Sequence, residues 1–208
     1  MGRSGWLAAL LTVSLTLVGC DDDGSADRDP VPVDPVTPSQ VDLRSALLTL
    51  DDMPAGWSEI PYDADTESNV CPAQVAGPLG LDEEPPTAGV QYVASRARGP
   101  SFAEAIQVVP SGRGAELMPI VRDAMADCDG EVYSGRTARV SKLDFPRVGD
   151  GSAAYTIRLD GVAINVLYAV TGDVGLLMST YDLTGGDSIR LLERYAERAV
   201  DKAEDAFG

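Results

Sequence analysis

The sequence of 208 residues contains no histidine and only two lysines, Lys142 and Lys202. Without histidine, Ser-His-Asp and Cys-His catalysis, histidine-bound metal and the usual pH switch are excluded. Basic side chains number 16 against 33 acidic ones, so the formal net charge is −17. Nucleic acids and anionic lipid surfaces are bound through clustered Lys and Arg. We therefore expect no nucleic-acid partner and no polybasic contact with a membrane.

The apolar run near the N-terminus is too short to cross a membrane. It extends from Trp6 to Val18, whereas a spanning helix needs roughly 20 apolar residues. Its length is typical of the h-region of a signal peptide, and Arg3 supplies the charge expected of the n-region. The sequence therefore predicts a signal peptide over residues 1–19.

The end of this run, Leu17-Val18-Gly19-Cys20, resembles the bacterial lipobox. In that motif the cysteine thiol takes up a diacylglyceryl group, and the small residues before it admit the signal peptidase. We expect Cys20 to carry lipid, including fatty acids such as palmitate, and to anchor the chain at the extracytoplasmic face of the cell membrane. The alternative is an ordinary secretory signal with an incidental cysteine, whose small-x-small cleavage site these residues fit poorly.

Residues 20–40 have the composition of a flexible tether. Three aspartates follow Cys20, and prolines stand at positions 30, 32, 35 and 38. Prolines at this spacing favour extended polyproline II and do not pack into a core. We expect this segment to hold residues 41–208, a single domain without internal repeats, away from the membrane.

Residues 41–208 combine helical and strand patterns in the way typical of an α+β domain. Asp160-Gly161 between two alternating runs is a strong hairpin signal, and a third run completes a meander. We predict an antiparallel sheet, formed by this meander and a second hairpin, with helices covering one face. The predicted helices begin near Val41, Gly112 and Asp187, and the predicted strands cover Trp57–Tyr62, Gly89–Arg98, Phe102–Val109, Arg136–Phe145, Tyr155–Leu159, Val162–Val170 and Val174–Tyr181.

Two cysteines remain once Cys20 is lipidated. The spacing of apolar residues places Cys128 on the buried face of the helix that begins near Gly112, while Cys71 lies in a less regular segment. In an oxidising compartment we expect Cys71 and Cys128 to form a disulfide. Closing a loop of this length contributes about 4 kcal/mol in the chain-entropy model. The alternative is two independent buried thiols.

No segment carries a specific catalytic, metal or cofactor motif. Residues 149–154 match the G-x-G-x-x-A form of the dinucleotide fingerprint, but they lead into a predicted strand and not into a helix. The acidic residues from Asp63 resemble the start of an EF-hand, but Ser68 and Gln74 replace its glycine and glutamate. We therefore predict no catalytic residue, no cofactor and no metal. Hydrolysis by paired carboxylates stays open because Asp and Glu are abundant.

Four aromatic residues are candidates for a ligand groove: Trp57, Tyr62, Tyr92 and Tyr155. Aromatic side chains supply large contact areas for small ligands. Core or sheet-face packing is the alternative for each of them.

Several segments resemble actinobacterial lipoproteins with a domain like the extracellular sensor of the mycobacterial kinase PknH. They include the run from Leu47 to Trp57, Val108-Val109-Pro110, the helix closing on Cys128, and Val148-Gly149-Asp150-Gly151 before the meander. The resemblance implies a sheet with helices on one side and a cleft for a small ligand, and it names no catalytic residue. The sensor has two disulfides, whereas this chain has cysteines for one besides the lipid anchor.

These observations favour a non-enzymatic, lipid-anchored domain that binds a small molecule, a lipid or an envelope protein. One alternative is a carrier of lipid or another apolar molecule, which requires an apolar cavity between sheet and helices. The other is a carboxylate-dependent hydrolase, which requires two inward carboxylates in a polar cleft.

Overall fold

The computed structural model describes residues 40–62, 87–94, 99–110, 112–130, 132–133, 136–159, 162–181 and 188–207. The helices in these ranges are α1 (Gln40–Ala46), α2 (Gly114–Cys128) and α3 (Ser188–Phe207), and a 3-10 turn covers Leu50–Asp52. The strands are β1 (Ser58–Ile60), β2 (Thr87–Val93), β3 (Ser101–Val108), β4 (Val132–Tyr133), β5 (Arg136–Thr137), β6 (Arg139–Leu143), β7 (Gly151–Leu159), β8 (Val162–Thr171) and β9 (Val174–Tyr181).

Seven of these strands form one sheet in the order β1-β2-β3-β9-β8-β7-β6, and every neighbouring pair is antiparallel. The predicted meander forms β7, β8 and β9, and the predicted hairpin forms β2 and β3. The hairpin and the meander join where β3 pairs with β9, with Ser101 opposite Tyr181 and Val108 opposite Val174. The short strands β4 and β5 pair only with each other. The α+β class and the antiparallel sheet are therefore confirmed.

Helices cover both faces of the sheet. Alternate residues of a strand point to opposite faces. Leu167 and Ala169 of β8 belong to a core cluster that includes residues of α1 and α3. Val166 and Tyr168 of the same strand belong to a second cluster that includes residues of α2. We call these the α3 face and the α2 face.

This layering differs from the predicted cover on one face. The reason lies in β8, which is buried without a break from Asn165 to Thr171. A strand with two buried faces needs a layer on each side, as strands of parallel sheets do.

The first helix is shorter than the apolar pattern predicts. It ends at Ala46, and a separate 3-10 turn follows over Leu50–Asp52. The backbone N–H of Leu48 donates to the side chain of Glu104 (2.9 Å), and the N–H of Thr49 donates to Asp52 Oδ2 (2.7 Å). In a continuous helix these two N–H groups would donate to backbone carbonyls of the preceding turn. Here side-chain oxygens accept their hydrogen bonds instead.

Pro119 lies inside α2, although proline in a helical segment favours the start of the helix or a kink. The helix already begins at Gly114, so Pro119 does not start it. Proline has no N–H to donate to the carbonyl of Ala115, one turn earlier. Both residues are exposed, so water can reach this carbonyl.

The predicted signal peptide and most of the predicted tether lie outside the described residues, as does Cys20. Among the helices that the structure describes, none combines the length and apolar character needed to cross a membrane. All the described elements belong to one unit of the chain, Val36–Gly208.

Candidate functional site

A cleft of about 640 Å³ lies on the α2 face, between α2 and the edge of the sheet formed by β6 and β7. Small-molecule sites in proteins commonly have volumes of this order. We call it the α2–β6–β7 cleft. Its walls include Ala115, Met118, Pro119 and Arg122 from α2, Lys142 to Phe145 and Arg147 from β6 and the loop after it, and Asp150 to Ala154 from the start of β7.

Small side chains at the start of β7 leave the room that the cleft occupies. Gly151, Ser152, Ala153 and Ala154 all contribute to its wall. A Cβ atom at Gly151 would lie 3.1 Å from Cγ of Met118, closer than most such contacts. Larger residues at Gly151 or Ala153, which face α2, would fill the cleft and push α2 away from the sheet.

A tight loop before β7 forms one end of the cleft. Asp150 N–H donates to the carbonyl of Val170 (2.9 Å), and Gly172 N–H donates to Asp150 Oδ2 (2.8 Å). The guanidinium of Arg147 donates to the carbonyl of Asp150. Gly149 has φ +59°, and a Cβ atom there would lie 2.6 Å from the carbonyl oxygen of Val170. The glycine is therefore needed both for the backbone conformation and for the close approach of the loop to β8.

Three basic side chains line the cleft, although the chain as a whole is strongly acidic. They are Arg122, Lys142 and Arg147, and they stand with two carboxylates, Asp144 and Asp150. Three cations less two anions give the cleft a local charge of +1, against −17 for the whole chain. Close fixed charges dominate the local potential because distant ones are screened within about 8–10 Å at physiological salt.

Two of these basic residues, Arg122 and Lys142, lie near Tyr155. Lys142 is the direct register partner of Tyr155 across the β6–β7 pair, and such partners have Cβ atoms about 5 Å apart on one face. Burial raises the pKa of the Tyr155 hydroxyl, and the charge of nearby Arg122 partly opposes this effect. A helix residue and a strand residue therefore place two cations on the walls of the same cleft.

The chemistry of this arrangement suits binding of an anionic group. Arginine offers a planar fork of donors, and lysine offers a compact point charge. The carboxylate of Asp150 accepts a hydrogen bond from the Gly172 N–H, so this side chain holds the loop before β7 to the turn between β8 and β9. Among the residues that the structure describes, no group of three or more Cys, Asp or Glu side chains can hold a metal ion.

A second polar cluster lies on the α3 face, around the buried Glu104 of β3. The side chain is fully buried, its Oε2 accepts the Leu48 N–H, and burial raises its pKa to about 7, against opposing effects of this hydrogen bond and of Lys202. Tyr92 donates its hydroxyl proton to the carbonyl of Leu48 (2.8 Å). The ammonium of Lys202 on α3 donates to the carbonyl of Leu47 (2.6 Å). These bonds hold the segment after α1 against β2, β3 and α3.

The structure does not bring the four candidate groove aromatics together. Tyr92 is buried on the α3 face, and Trp57 packs against the core of that face. Tyr155 is buried on the α2 face, beside the cleft. A Cβ atom added at Gly89 of β2 would meet the ring of Tyr62. Tyr92 and Tyr155 therefore pack in the core and on the sheet face, which was the alternative to a ligand groove. Of the four aromatic residues, only Tyr155 lies near the cleft.

The basic residues of the cleft were not among the sequence-based candidates. Arg122, Lys142 and Arg147 lie on a helix, a strand and a loop, and no spacing rule links them. One signal was available: Lys142 is one of only two lysines in the chain, and it stands in an alternating strand that pairs with the start of the meander.

The predicted disulfide stays a prediction. Cys128 is fully buried at the end of α2, as its position in the apolar pattern predicts. Cys71 lies outside the described residues.

Comparison with solved structures relates this fold to a known one. The sequence matches no protein-family model and no curated protein. The extracellular domain of PknH from Mycobacterium tuberculosis is similar in structure, with a TM-score of 0.58 and 12% sequence identity over 82% of this chain and 98% of that one. An uncharacterised protein from Mycobacterium smegmatis also matches, with a TM-score of 0.34 and 16% identity over 72% of this chain and 77% of that one. The first similarity confirms the resemblance expected from the sequence, so the domain has the fold of the PknH extracellular domain.

Proposed function

We propose that this protein is a lipid-anchored, non-enzymatic binding protein of the cell envelope, and that the α2–β6–β7 cleft holds its ligand. The observation that carries the proposal is the cleft itself. It has the volume of a small-molecule site, and it concentrates basic side chains in an acidic chain.

Two further observations support the location of the protein outside the cytoplasm. The lipobox around Cys20 provides a site for the anchor. The solved structure with the same fold is the extracellular domain of a mycobacterial protein.

A pair of exposed alanines on α2 provides the test. Ala115 lines the cleft, whereas Ala126 is exposed on the same helix and does not line it. We expect Ala115→Trp to fill the cleft and displace a molecule that co-purifies from the native host. Ala126→Trp makes the same change in side chain and should retain that molecule.

Native mass spectrometry of both variants, expressed in the host and released from its membranes, measures this occupancy. Equal occupancy in wild type, Ala115→Trp and Ala126→Trp would show that the ligand binds elsewhere. Circular dichroism melting of the two variants checks that neither has lost its fold.

A carrier function is the second candidate, because part of the cleft wall is apolar. Met118, Ala153 and Val170 contribute to it. A carrier would accelerate transfer of a fluorescent lipid between vesicles, and Ala115→Trp would abolish that acceleration. A receptor would bind its ligand without accelerating transfer.

A further inference from the structure

We propose that the ligand of the α2–β6–β7 cleft is an amphiphile with an oxyanion head, bound between Arg122 and Lys142, and with a short apolar tail against Met118. This inference rests on the proposed function, because it specifies the class of ligand for the same cleft. Such a head would be the phosphate of a lipid, and the experiment below separates this source from free phosphate.

The first step of the argument concerns the state of the two cations. Arg113, Arg198 and Lys202 form ion pairs with carboxylates. Within the part of the chain that the structure describes, neither Arg122 nor Lys142 forms an ion pair. Their charges are therefore available to a ligand.

The second step concerns the position of the two charges. They line the cleft from different walls, Arg122 from α2 and Lys142 from β6. Two cations on different walls can both reach a compact anion that is doubly charged or delocalised. A phosphate or carboxylate accepts paired hydrogen bonds from arginine and a charge-assisted bond from lysine.

The third step concerns the apolar part of the ligand. Met118 and Arg122 are four residues apart on α2, so their side chains are neighbours on one helix face. Met118 lines the cleft together with Ala153 and Val170, which belong to the same α2 face. The cationic end of the cleft thus continues directly into an apolar wall, and an unbranched chain attached to the oxyanion would lie there.

Three probes separate head from tail. Octyl phosphate carries both parts, inorganic phosphate carries only the head, and octyl glucoside carries the tail on an uncharged head. We expect titration calorimetry at constant ionic strength, below the micellar concentration, to show binding of octyl phosphate at least about tenfold tighter than that of the other two. Equal binding of inorganic phosphate would favour free phosphate as the ligand and overturn the apolar subsite.

A matched set of charge variants tests the two residues. Arg122→Gln combined with Lys142→Gln should weaken octyl phosphate at least about tenfold, because a charged hydrogen bond is lost on each side. Arg139 of β6 is exposed, and its register partner Arg158 faces away from the cleft. We expect Arg139→Gln combined with the exposed Arg194→Gln of α3 to make the same change in net charge with less than about a twofold effect.

The outcomes distinguish this inference from the proposed function. Failure of octyl phosphate to bind, equal binding of octyl glucoside, or no effect of the double variant would each overturn the oxyanion assignment. If Ala115→Trp still displaced the host-derived molecule in that case, the cleft would remain the binding site for a different ligand class. If Ala115→Trp displaced nothing, the proposed function itself would fail.

Discussion

At the scale of single residues, Glu104 has the most unusual environment among the described side chains. It lies fully buried in β3, and its Oε1 has no hydrogen-bond partner among the described residues. Burial raises its pKa to about 7, while the Leu48 N–H and the charge of Lys202 act in the opposite direction and Asp52 adds to the rise. Burial also raises the pKa of the Tyr92 hydroxyl on β2, and the charges of Glu59 and Glu104 add to this rise.

This environment predicts a pH dependence of stability. The glutamate has its ordinary pKa of about 4.3 when the chain is unfolded, and about 7 when it is folded. The folded state therefore binds more protons between these values, and the free energy of unfolding falls as the pH rises through this window. The loss amounts to about 3 kcal/mol and is complete above pH 7 to 8.

Glu104→Gln removes the ionisation and keeps an acceptor for the Leu48 N–H. We expect the variant to gain stability over the wild type as the pH is raised from 5 to 8, by up to about 3 kcal/mol. Urea unfolding at several pH values measures the difference. The exposed Glu197→Gln of α3 is the control and should track the wild type. A constant difference between Glu104→Gln and wild type would show that Glu104 does not titrate in this window.

At the scale of elements, the turns next to the cleft determine how closely α2 and the sheet approach. The loop before β7 and the turn between β8 and β9 are joined by the bond from Gly172 N–H to Asp150. Gly149 and Gly172 both have positive φ, +59° and +53°. They differ in what surrounds them. A Cβ atom added at Gly149 would contact the Val170 carbonyl, whereas one added at Gly172 would have no atom within 4 Å.

These two glycines form a matched pair for mutation. Gly172→Ala carries only the cost of the left-handed conformation, about 1 kcal/mol. Gly149→Ala adds a clash with backbone that cannot move without breaking the β7–β8 pairing, so we expect a loss of at least about 2 kcal/mol. Chemical denaturation of both variants measures the difference. Equal losses would show that the loop relaxes away from β8 at little cost.

At the scale of the whole molecule, the proposed function depends on the covalent anchor at Cys20. Two acyl chains give stable membrane attachment, whereas one gives only marginal binding. Metabolic labelling with an alkyne fatty acid should label the wild type and leave Cys20→Ser unlabelled, and the variant should move from the membrane fraction to the soluble fraction. Cys71→Ser, which leaves the lipobox intact, is the control and should keep the label. Label on Cys20→Ser would contradict the lipobox interpretation.

Local sequence patterns determined the class of fold and most of its elements. The alternation around Asp160-Gly161 predicted the meander because a strand has a period of two, and the stripe on the last helix predicted α3 because a helix has a period near 3.6. Pro61 confined the first strand to an edge, and β1 does lie at the edge of the sheet. The burial of Cys128 followed from its spacing on α2 in the same way.

Only the tertiary structure decided the layering and the site. Whether a second helix covers the opposite face depends on how strands from distant parts of the chain pair. For example, β9 lies between β8, its neighbour in the chain, and β3, which is far from it in the chain. Arg122 and Lys142 line the same cleft because a helix packs over an edge strand, and Glu104 is buried because the segment after α1 folds over β3. Periodicity reports which face of its own element a residue occupies. It does not report which other element covers that face, because that contact is made between residues far apart in the chain.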